Sequence, residues 1–302
     1  MSIEVQKLSK KYQEQLAINE ISFKVNSGEI VGFLGPNGAG KSTTMKIISC
    51  FIKPTSGDVL VDGVSIHKDE LSVKSKIGYL PEHNPLYEDM YVRESILFIA
   101  QMHKIKNIKV AVQGVIEKVG LVKEAHKKIG QLSKGYKQRV GIAQAIVHDP
   151  KVLILDEPTS GLDPNQLEDI RALIKELGKN KTVILSTHIM QEVESICDRI
   201  VVIKNGSIVA DRNLEQNSNT LNNIKEQIVS VEFENEISIT QLKKGLPKIK
   251  IEKNENKFLF YYDGNEDLRK LISSFAQKNE ILILEIKKHS DKLEDLFKKL
   301  TK

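Results

Sequence analysis

Residues 35–43, GPNGAGKST, stand between the apolar run IVGFL at 30–34 and a helical pattern that begins TMKIISCF. This arrangement constrains the fold strongly, because it matches G-x-x-x-x-G-K-[ST] in the order strand, glycine-rich loop, helix. The glycines let successive backbone N–H groups turn toward one point, and the first helical turn adds the positive end of its dipole. The stretch therefore predicts an α/β protein with a phosphate-binding loop. The alternative is a glycine-rich turn with an incidental lysine, but the full pattern rarely arises by chance.

This loop supplies the first group of candidate site residues. Lys41 is expected to reach the β- and γ-phosphates of a nucleotide, and Ser42 is expected to ligate a magnesium ion. The full set expected to contact the nucleotide is Gly35, Pro36, Asn37, Gly38, Ala39, Gly40, Lys41, Ser42 and Thr43.

A second group follows the run VLIL at 152–155, where the chain continues with Asp156 and Glu157. The strand would deliver both acids to the carboxyl edge of the sheet, where ligands of open α/β folds bind. Asp156 is then placed to hold hydrated magnesium, and Glu157 to polarise an attacking water. Two acids after a strand could also form only the first turn of a helix, where negative charge is favourable. The phosphate-binding loop upstream favours the catalytic interpretation.

Further short runs rich in β-branched residues alternate with helical patterns and lie at 21–25, 152–155, 182–186 and 199–203. Such near-continuous apolar runs are typical of strands buried on both faces of a largely parallel sheet. The predicted core is therefore α/β. Residues 90–149 show long helical patterns instead, so we expect a helical subdomain inserted into that core.

A polar stretch, LEQNSNTLNN at 214–223, predicts a domain boundary. The expected domains are 1–215 and 216–302. In the second, strand-like segments IVSVEFE, IKIEKNE, KFLFYYD and ILILEIKK accompany helical patterns at 239–245, 266–278 and 290–301. This order predicts a small α+β domain built on an antiparallel sheet. We expect it to have a structural or dimer-bracing role, with regulation as the alternative.

Composition excludes several classes of protein. The chain has 302 residues, 40% of them apolar, which is enough for a proper core. No apolar run approaches the roughly 18 to 20 residues that cross a bilayer, and the start resembles no signal peptide, so we expect a cytosolic protein. The net charge of +5 is mild, and charges in the C-terminal part nearly balance, so no nucleic-acid partner is expected. Cys50 and Cys197 have no metal-site spacing and are expected to be buried thiols.

Five further stretches follow in an order that resembles the ATP-binding subunits of ABC transporters, and the resemblance covers residues 1 to about 215. They are KKYQEQLAINEISF with Tyr12, IGYLPE with Glu82, LSKGY at 132–136, SGLD with Asp163 and STH with His188. The resemblance implies a P-loop NTPase core of the ABC type that binds ATP and Mg²⁺.

The resemblance also implies a role for each of these residues. Tyr12 would stack on the adenine, and Glu82 would lie near the magnesium ion. His188 would hydrogen-bond the γ-phosphate and hold Glu157 and the attacking water in line, so that the catalytic residues are Lys41, Glu157 and His188. The remaining histidines are expected to be surface or packing residues: His67, His83, His103, His126, His148 and His289.

In the family, two ATPase units face each other head to tail, and each ATP lies between the P-loop of one unit and the LSKGY-type loop of the other. Ser133, Gly135 and the dipole of the helix beginning near Lys134 would then clamp the γ-phosphate. Asp163 would line the site of the facing subunit. The alternative interpretation of LSKGY is an ordinary serine N-cap, which is common in helical proteins.

The chain departs from the usual family pattern at three positions. Lys134 and Tyr136 replace a glycine and a glutamine of the more usual LSGGQ, and Glu82 replaces a glutamine. Lys134 is expected either near the opposing nucleotide or in solvent. Glu82 brings a carboxylate toward magnesium and can coordinate it directly or through water. Some exporter-type members show these changes, so they are interpreted as marks of a subfamily.

Partners follow from the same resemblance. The ATPase would form a homodimer and drive integral membrane permease subunits from the cytoplasmic face of the cell membrane. The permease would bind at a groove between the helical subdomain and the Glu82 loop, lined by NPLYEDMYVRE at 84–94; the alternative for this segment is an exposed polar loop.

The arrangement of one ATPase unit before an α+β domain resembles the drug, sodium and gliding-motility exporter group, and the whole chain resembles the gliding-motility ATP-binding subunit. The alternatives are a soluble ABC ATPase acting on nucleic acid or ribosomes, and an ATP-gated regulatory switch.

Overall fold

The computed structural model describes residues 2–214, 226–235, 237–247, 249–254, 257–263 and 266–289. The chain divides into two units, Met1–Leu214 and Glu215–Leu300. In chain order, the elements of the first unit are β1 (Ile3–Tyr12), β2 (Gln15–Val25), β3 (Ile30–Leu34), α1 (Lys41–Ile48), β4 (Ser56–Val61), β5 (Val64–Ser65), α2 (Glu70–Lys76), β6 (Ile77–Leu80), α3 (Val92–Met102), α4 (Ile108–Lys118), α5 (Lys134–Ile146), β7 (Val152–Asp156), α6 (Pro164–Gly178), β8 (Thr182–Thr187), α7 (Met190–Ile196), β9 (Arg199–Lys204) and β10 (Ser207–Asn213).

The central sheet of the first unit has the strand order β10-β9-β3-β8-β7-β6. The strands from β9 to β6 pair in parallel, and β10 is an antiparallel edge strand. Every residue of β3, β7 and β8 is buried, as continuous apolar runs in a covered parallel sheet require. The predicted α/β core is confirmed, and the parallel pairing brings the carboxyl ends of β3, β6, β7 and β8 to one edge.

One strand prediction was wrong in its partners. ISFKV at 21–25 belongs to β2, which pairs antiparallel with β1 in a separate sheet of order β2-β1-β4-β5. Ile21, Phe23 and Val25 are buried, while Ser22 and Lys24 point outward, and Lys24 forms an ion pair with Glu4 on the neighbouring strand. This alternation is typical of an antiparallel sheet with one solvated face. The run therefore contributes to a second layer and not to the parallel sheet.

The helical subdomain contains α3, α4 and α5, which lie within the predicted span of 90–149. Helix α5 begins at Lys134, and the Ser133 hydroxyl accepts a hydrogen bond from the Tyr136 N–H as its N-cap. The Gln144 amide donates to the Ser95 hydroxyl at 2.7 Å and so joins α5 to α3. The described helices include none with the length and apolar character needed to cross a membrane.

Gly78 sets how closely α5 approaches β6. A Cβ atom at this position would lie 2.0 Å from the backbone oxygen of Ala145, so neither element could keep its place. Gly78→Ala is expected to lower the free energy of unfolding by about 3 kcal/mol, because a backbone atom cannot yield as a side chain can. Gly114→Ala in α4 meets open space and should instead stabilise by about 0.5–1 kcal/mol. Urea denaturation of both variants checks the contrast, and equal stabilities would contradict it.

The two cysteines differ in their surroundings. Cys197 is buried, as predicted. Cys50 is only half-buried, which corrects the prediction: it follows the end of α1 in the left-handed region, with φ 56°, where the chain turns toward the surface. Burial raises the pKa of the Cys50 thiol to about 11, so at neutral pH it is a protonated thiol.

The described elements of the second unit are β11 (Glu226–Phe233), α8 (Ile239–Gly245), β12 (Lys250–Asn254), β13 (Lys257–Asp263), α9 (Leu268–Lys278) and β14 (Ile283–His289). The sheet order is β12-β13-β11-β14, and every neighbouring pair is antiparallel. This is the split βαβ arrangement. Its core joins Val231 and Phe260 of the sheet to Leu242 and Ile272 of the helices. The helix predicted at 290–301 lies outside the described residues.

Candidate functional site

A cavity of about 530 Å³ opens at the carboxyl edge of the parallel sheet. It brings together the phosphate-binding loop after β3, Glu82 after β6, Glu157 after β7 and His188 after β8. Gly35, Pro36 and Ala39 shape the loop without lining the cavity. The lining residues are Tyr12, Gln15, Ala17, Asn37, Gly38, Gly40, Lys41, Ser42, Thr43, Glu82, Glu157, Ser160 and His188.

The loop holds its lysine in a buried, hydrogen-bonded position. Gly40 has φ +108°, and a Cβ there would lie 2.6 Å from the Ala17 backbone oxygen, so this turn requires glycine. The Lys41 ammonium donates to the Gly35 carbonyl at 2.8 Å and the Pro36 carbonyl at 3.2 Å. A buried ammonium needs such acceptors. Its position at the start of α1 directs positive charge and the helix dipole into the cavity.

Asp156 and Ser42, the two predicted magnesium ligands nearest the loop, lie side by side. Asp156 is 1% exposed, and its Oδ1 accepts hydrogen bonds from the Ser42 hydroxyl at 3.1 Å and from the Ser186 hydroxyl. A carboxylate and a hydroxyl are oxygen ligands of the kind Mg²⁺ takes beside substrate phosphates, so these residues fit the ion. Glu82 lines the same cavity but is exposed.

Glu157 faces two nitrogen-bearing side chains. Its carboxylate lies 3.6 Å from the Lys41 Nζ and within 2.9 Å of the His188 Nδ1. Glu157 is only 6% exposed, and its φ of +50° lies in the left-handed region, a strained conformation for a residue with a side chain. Strain of this kind persists where surrounding contacts hold it. Glu157 is therefore a buried carboxylate, aimed into the cavity, that can accept a proton.

Ser186 is a site residue that the sequence reasoning missed. It lies opposite Asp156 in the pairing of β7 and β8, and its hydroxyl also accepts the backbone N–H of Glu157 at 3.1 Å. Ser186 thus holds both acids at once. Placing the run at 182–186 beside 152–155 in register would have found it, because both strands end at the same edge of the sheet.

Tyr12 ends β1 at the rim of the cavity and is 45% exposed. The Lys10 Nζ lies 5.1 Å from the centroid of its ring, a cation–π contact. The Lys10 ammonium also donates to the Lys53 carbonyl at 2.7 Å. The ring of Tyr12 is therefore held from one side by Lys10 and is otherwise accessible at the rim of the cavity; its contact with an adenine stays a prediction.

The structure does not bring Ser133, Gly135 and Asp163 to this cavity. Ser133 and Gly135 line a separate cavity of about 240 Å³, and Asp163 is an exposed N-cap whose carboxylate accepts the Gln166 N–H at 2.9 Å. The serine N-cap weighed as an alternative for LSKGY is thus present. The Lys134 ammonium lies against Gly161, because a Cβ atom added at Gly161 would be 2.1 Å from the Lys134 Nζ. Lys134 thereby contacts the SGLD loop of its own chain.

A third cavity, of about 590 Å³, lies between the helical subdomain on one side and α2 with the chain after β6 on the other. Of the predicted segment 84–94, only Asn84 and Pro85 line it; Tyr87 and Tyr91 lie outside it and are exposed. This corrects the extent of the predicted groove. This cavity, here called the subdomain groove, is lined by residues that include Leu71, Tyr79, Asn84, Pro85, Ile99, Met102, His103 and His148.

His103 and His148 stack in the subdomain groove with ring centroids 3.8 Å apart, so both are packing residues as expected. The His148 Nε2 makes a 3.0 Å hydrogen bond to the Ile77 carbonyl. Burial, with His103 and Lys181 nearby, lowers the pKa of His148 to about 4, although Asp149 opposes the shift. Burial also lowers the pKa of His103.

Acid should therefore destabilise the folded protein through this histidine pair. A histidine whose pKa is lowered by folding contributes stability above its unfolded pKa of about 6.5, and that contribution is lost as the pH falls toward the folded value. Unfolding measured from pH 7.5 to 4 should show a smaller loss for His148→Gln than for the wild type. His83→Gln, at an exposed position, is the control and should follow the wild type. Parallel curves for all three would contradict the prediction.

Geometry of this kind, with a glycine-rich loop at a helix start facing a buried acid pair, places the chain among the P-loop nucleoside triphosphatases. Comparison with known proteins narrows the class. The ABC transporter family model matches residues 18–160, and a curated ABC ATP-binding protein matches nearly the whole chain. The chain belongs to the ABC transporter family, in which it is an ATP-binding subunit that hydrolyses ATP.

Three similar proteins illustrate the relationship. The uncharacterized ABC transporter ATP-binding protein YhcH of Bacillus subtilis is 33% identical across 99% of this chain and 95% of its own. Nod factor export ATP-binding protein I of Burkholderia pseudomallei is 37% identical over 69% of this chain and 70% of its own. The dimeric post-hydrolysis structure of the cassette MJ0796, bound to ADP and Pi, is 27% identical with a TM-score of 0.64, covering 70% of this chain and 98% of that one.

Proposed function

We propose that two copies of this chain bind ATP head to tail and hydrolyse it to drive a separate membrane permease that exports its substrate. The observation that carries this proposal is the division of the site. Residues of the phosphate loop, Glu157 and His188 line one cavity, with Asp156 hydrogen-bonded behind Ser42, while Ser133 and Gly135 line another cavity on the same chain. A second copy would supply the second set to the first.

Within one half of the site, several side chains would each take a part in phosphoryl transfer to water. Lys41 balances the charge of the β- and γ-phosphates, and Asp156 with Ser42, and Glu82 at the rim, would hold Mg²⁺, which neutralises further phosphate charge when bound. Glu157 would accept a proton from the attacking water. As it does so, the water oxygen bonds to the γ-phosphorus, and the bond between the γ-phosphorus and the bridging oxygen of ADP breaks. His188, hydrogen-bonded to Glu157, keeps that carboxylate aligned. Tyr12 offers its ring to the adenine.

The facing copy would complete the site. Ser133 is already the N-cap of α5, so its hydroxyl, the Gly135 N–H and the helix dipole stand together at one helix start. Asp163 heads α6 in the same manner. The dimeric cassette MJ0796 with ADP and Pi supports this arrangement by similarity. Loss of the γ-phosphate would remove the contacts at both Ser133 loops and open the dimer.

The permease would bind at the subdomain groove, so that the chain would work at the cytoplasmic face of the membrane. Leu71 and Met102 line this groove and are 80% and 65% exposed, which leaves apolar surface for a partner. The similarity to a Nod factor export protein supports the export direction. The link to gliding motility stays a prediction from the sequence.

Co-purification from detergent-solubilised membranes tests the permease proposal. A tagged chain should bring down a protein with several membrane-spanning helices, and Leu71→Asp or Met102→Glu should abolish the association while ATP binding persists. Val110→Glu, on an equally exposed apolar residue of α4 outside the groove, is the matched control. Recovery of RNA instead of a membrane protein, or equal loss with the Val110 variant, would count against the proposal.

A further inference from the structure

Glu192 is a fully buried carboxylate that does not line the ATP cavity. It lies in α7 with 0% exposure, and each carboxylate oxygen accepts one threonine hydroxyl. Oε1 accepts the hydroxyl of Thr159, and Oε2 accepts that of Thr187 at 2.6 Å. A buried charge is unfavourable unless it is well hydrogen-bonded, and a carboxylate with two hydroxyl donors satisfies that requirement.

The two threonines belong to the two segments on either side of the catalytic residues. Thr159 follows Glu157 by two positions and lies in the turn that leads to Asp163. Thr187 precedes His188, and its hydroxyl oxygen also accepts the backbone N–H of Ile189 at 3.0 Å. The backbone on both sides of His188 is therefore held by one side chain. Glu192 in turn holds that side chain.

A residue needed only to fill space at this position would be apolar, because an apolar side chain of similar volume avoids the burial of charge. The carboxylate has a property that an apolar side chain lacks: it joins two separate loops by hydrogen bonds. One of those loops carries the residue proposed to face the partner's site, and the other carries His188.

We propose that Glu192 is a positioning residue for ATP hydrolysis, which holds the turn after Glu157 and the His188 backbone in one fixed relation. The inference rests on the roles proposed above for Glu157, His188 and Asp163. Movement of the Asp163 loop in the dimer would then be transmitted to His188 through Thr159, Glu192 and Thr187.

The test uses the full chain and compares variants that keep or remove single hydrogen bonds. Thr159→Val keeps the shape and removes the hydroxyl, whereas Thr159→Ser keeps the hydroxyl. Glu192→Ala removes the acceptor, and Glu192→Gln keeps its shape with one hydrogen bond reversed. Val193→Ala is the matched control, because Val193 is also fully buried in α7 but makes no contact of this kind.

Three quantities are measured for each variant: the stability to urea, the steady-state kcat and KM for ATP, and the ¹⁵N NMR shifts of the His188 ring. We expect Glu192→Ala and Thr159→Val to lower kcat on the order of 10²-fold with little change in KM, as misplaced catalytic groups do. Their His188 shifts should move, since the Nδ1 hydrogen bond to Glu157 is disturbed. Thr159→Ser should have the kcat and the His188 shifts of the wild type. Glu192→Gln should have values of both between those of the wild type and those of Glu192→Ala.

Val193→Ala should lose stability without this loss of kcat or change in the His188 shifts. If Glu192→Ala and Thr159→Val behave like Val193→Ala at equal stability, the inference is wrong and Glu192 is a packing residue. An unchanged His188 spectrum in a slow Glu192→Ala enzyme would also overturn it. Full turnover in Glu157→Gln would overturn the proposed catalytic roles as well, so the two failures are distinguishable.

Discussion

Glu157→Gln is expected to lower kcat for ATP on the order of 10³-fold, while the dissociation constant for ATP changes little. The amide has the same shape as the carboxylate and fits the same buried position beside Lys41 and His188. ATP binding is therefore retained. The amide cannot accept a proton from the attacking water, so the chemical step fails. Single-turnover hydrolysis and fluorescent-ATP binding measure the two effects separately.

Glu168→Gln is the control for this substitution, because Glu168 is exposed on α6 and should keep wild-type turnover. The variant at 157 should also accumulate as an ATP-bound dimer in size-exclusion chromatography, since the γ-phosphate that would join the two copies is not cleaved. Equal turnover at 157 and 168, or loss of ATP binding in the first, would contradict the role of Glu157 as the proton acceptor.

The second large effect is recovery of activity by mixing two inactive chains. Lys41→Ala and Ser133→Ala should each abolish hydrolysis, since one lacks the phosphate lysine and the other the clamp supplied to the facing copy. A mixed dimer holds one site with both defects and one with neither. After subunit exchange, an equal mixture should regain up to roughly a quarter of the wild-type sites.

A mixture of Lys41→Ala and Asp156→Asn controls for nonspecific recovery. Both of these changes lie in the same half of the site, so every site of every mixed dimer stays defective and no turnover should return. No recovery with the Ser133 mixture would contradict the head-to-tail arrangement, and so would full activity of a Ser133→Ala chain alone.

The strands and helices near the phosphate loop could be predicted because their conformation depends on residues that are neighbours in the sequence. The loop 35–43 and the acids 156–157 are short, continuous stretches whose local geometry depends on adjacent residues, and in the structure the loop follows β3 and the acids stand at the end of β7. The run at 21–25 shows the limit. Its propensity for a strand was correct, but propensity does not identify the neighbouring strand, and β2 joined the antiparallel sheet.

Residues that act between segments were not predictable in the same way. Ser186 became visible only through its register with Asp156, and Glu192 only through two threonines 33 and 5 positions away. A serine at a strand end and a glutamate on a helix are ordinary in sequence. Their roles depend on distances that the folded chain sets.

The sequence by itself determined which residues are candidates for the chemistry: the phosphate loop, Asp156 as the proposed magnesium ligand, Glu157 as the proposed proton acceptor and His188 as the proposed aligning residue. Only the tertiary structure decided which of them share one cavity. Parallel pairing of β3, β6, β7 and β8 brings their carboxyl ends to one edge, whereas Ser133 and Gly135 stand at the start of α5, in another cavity. The physical reason is that local conformation follows from neighbouring residues, while the pairing of distant strands follows from burial of their shared faces.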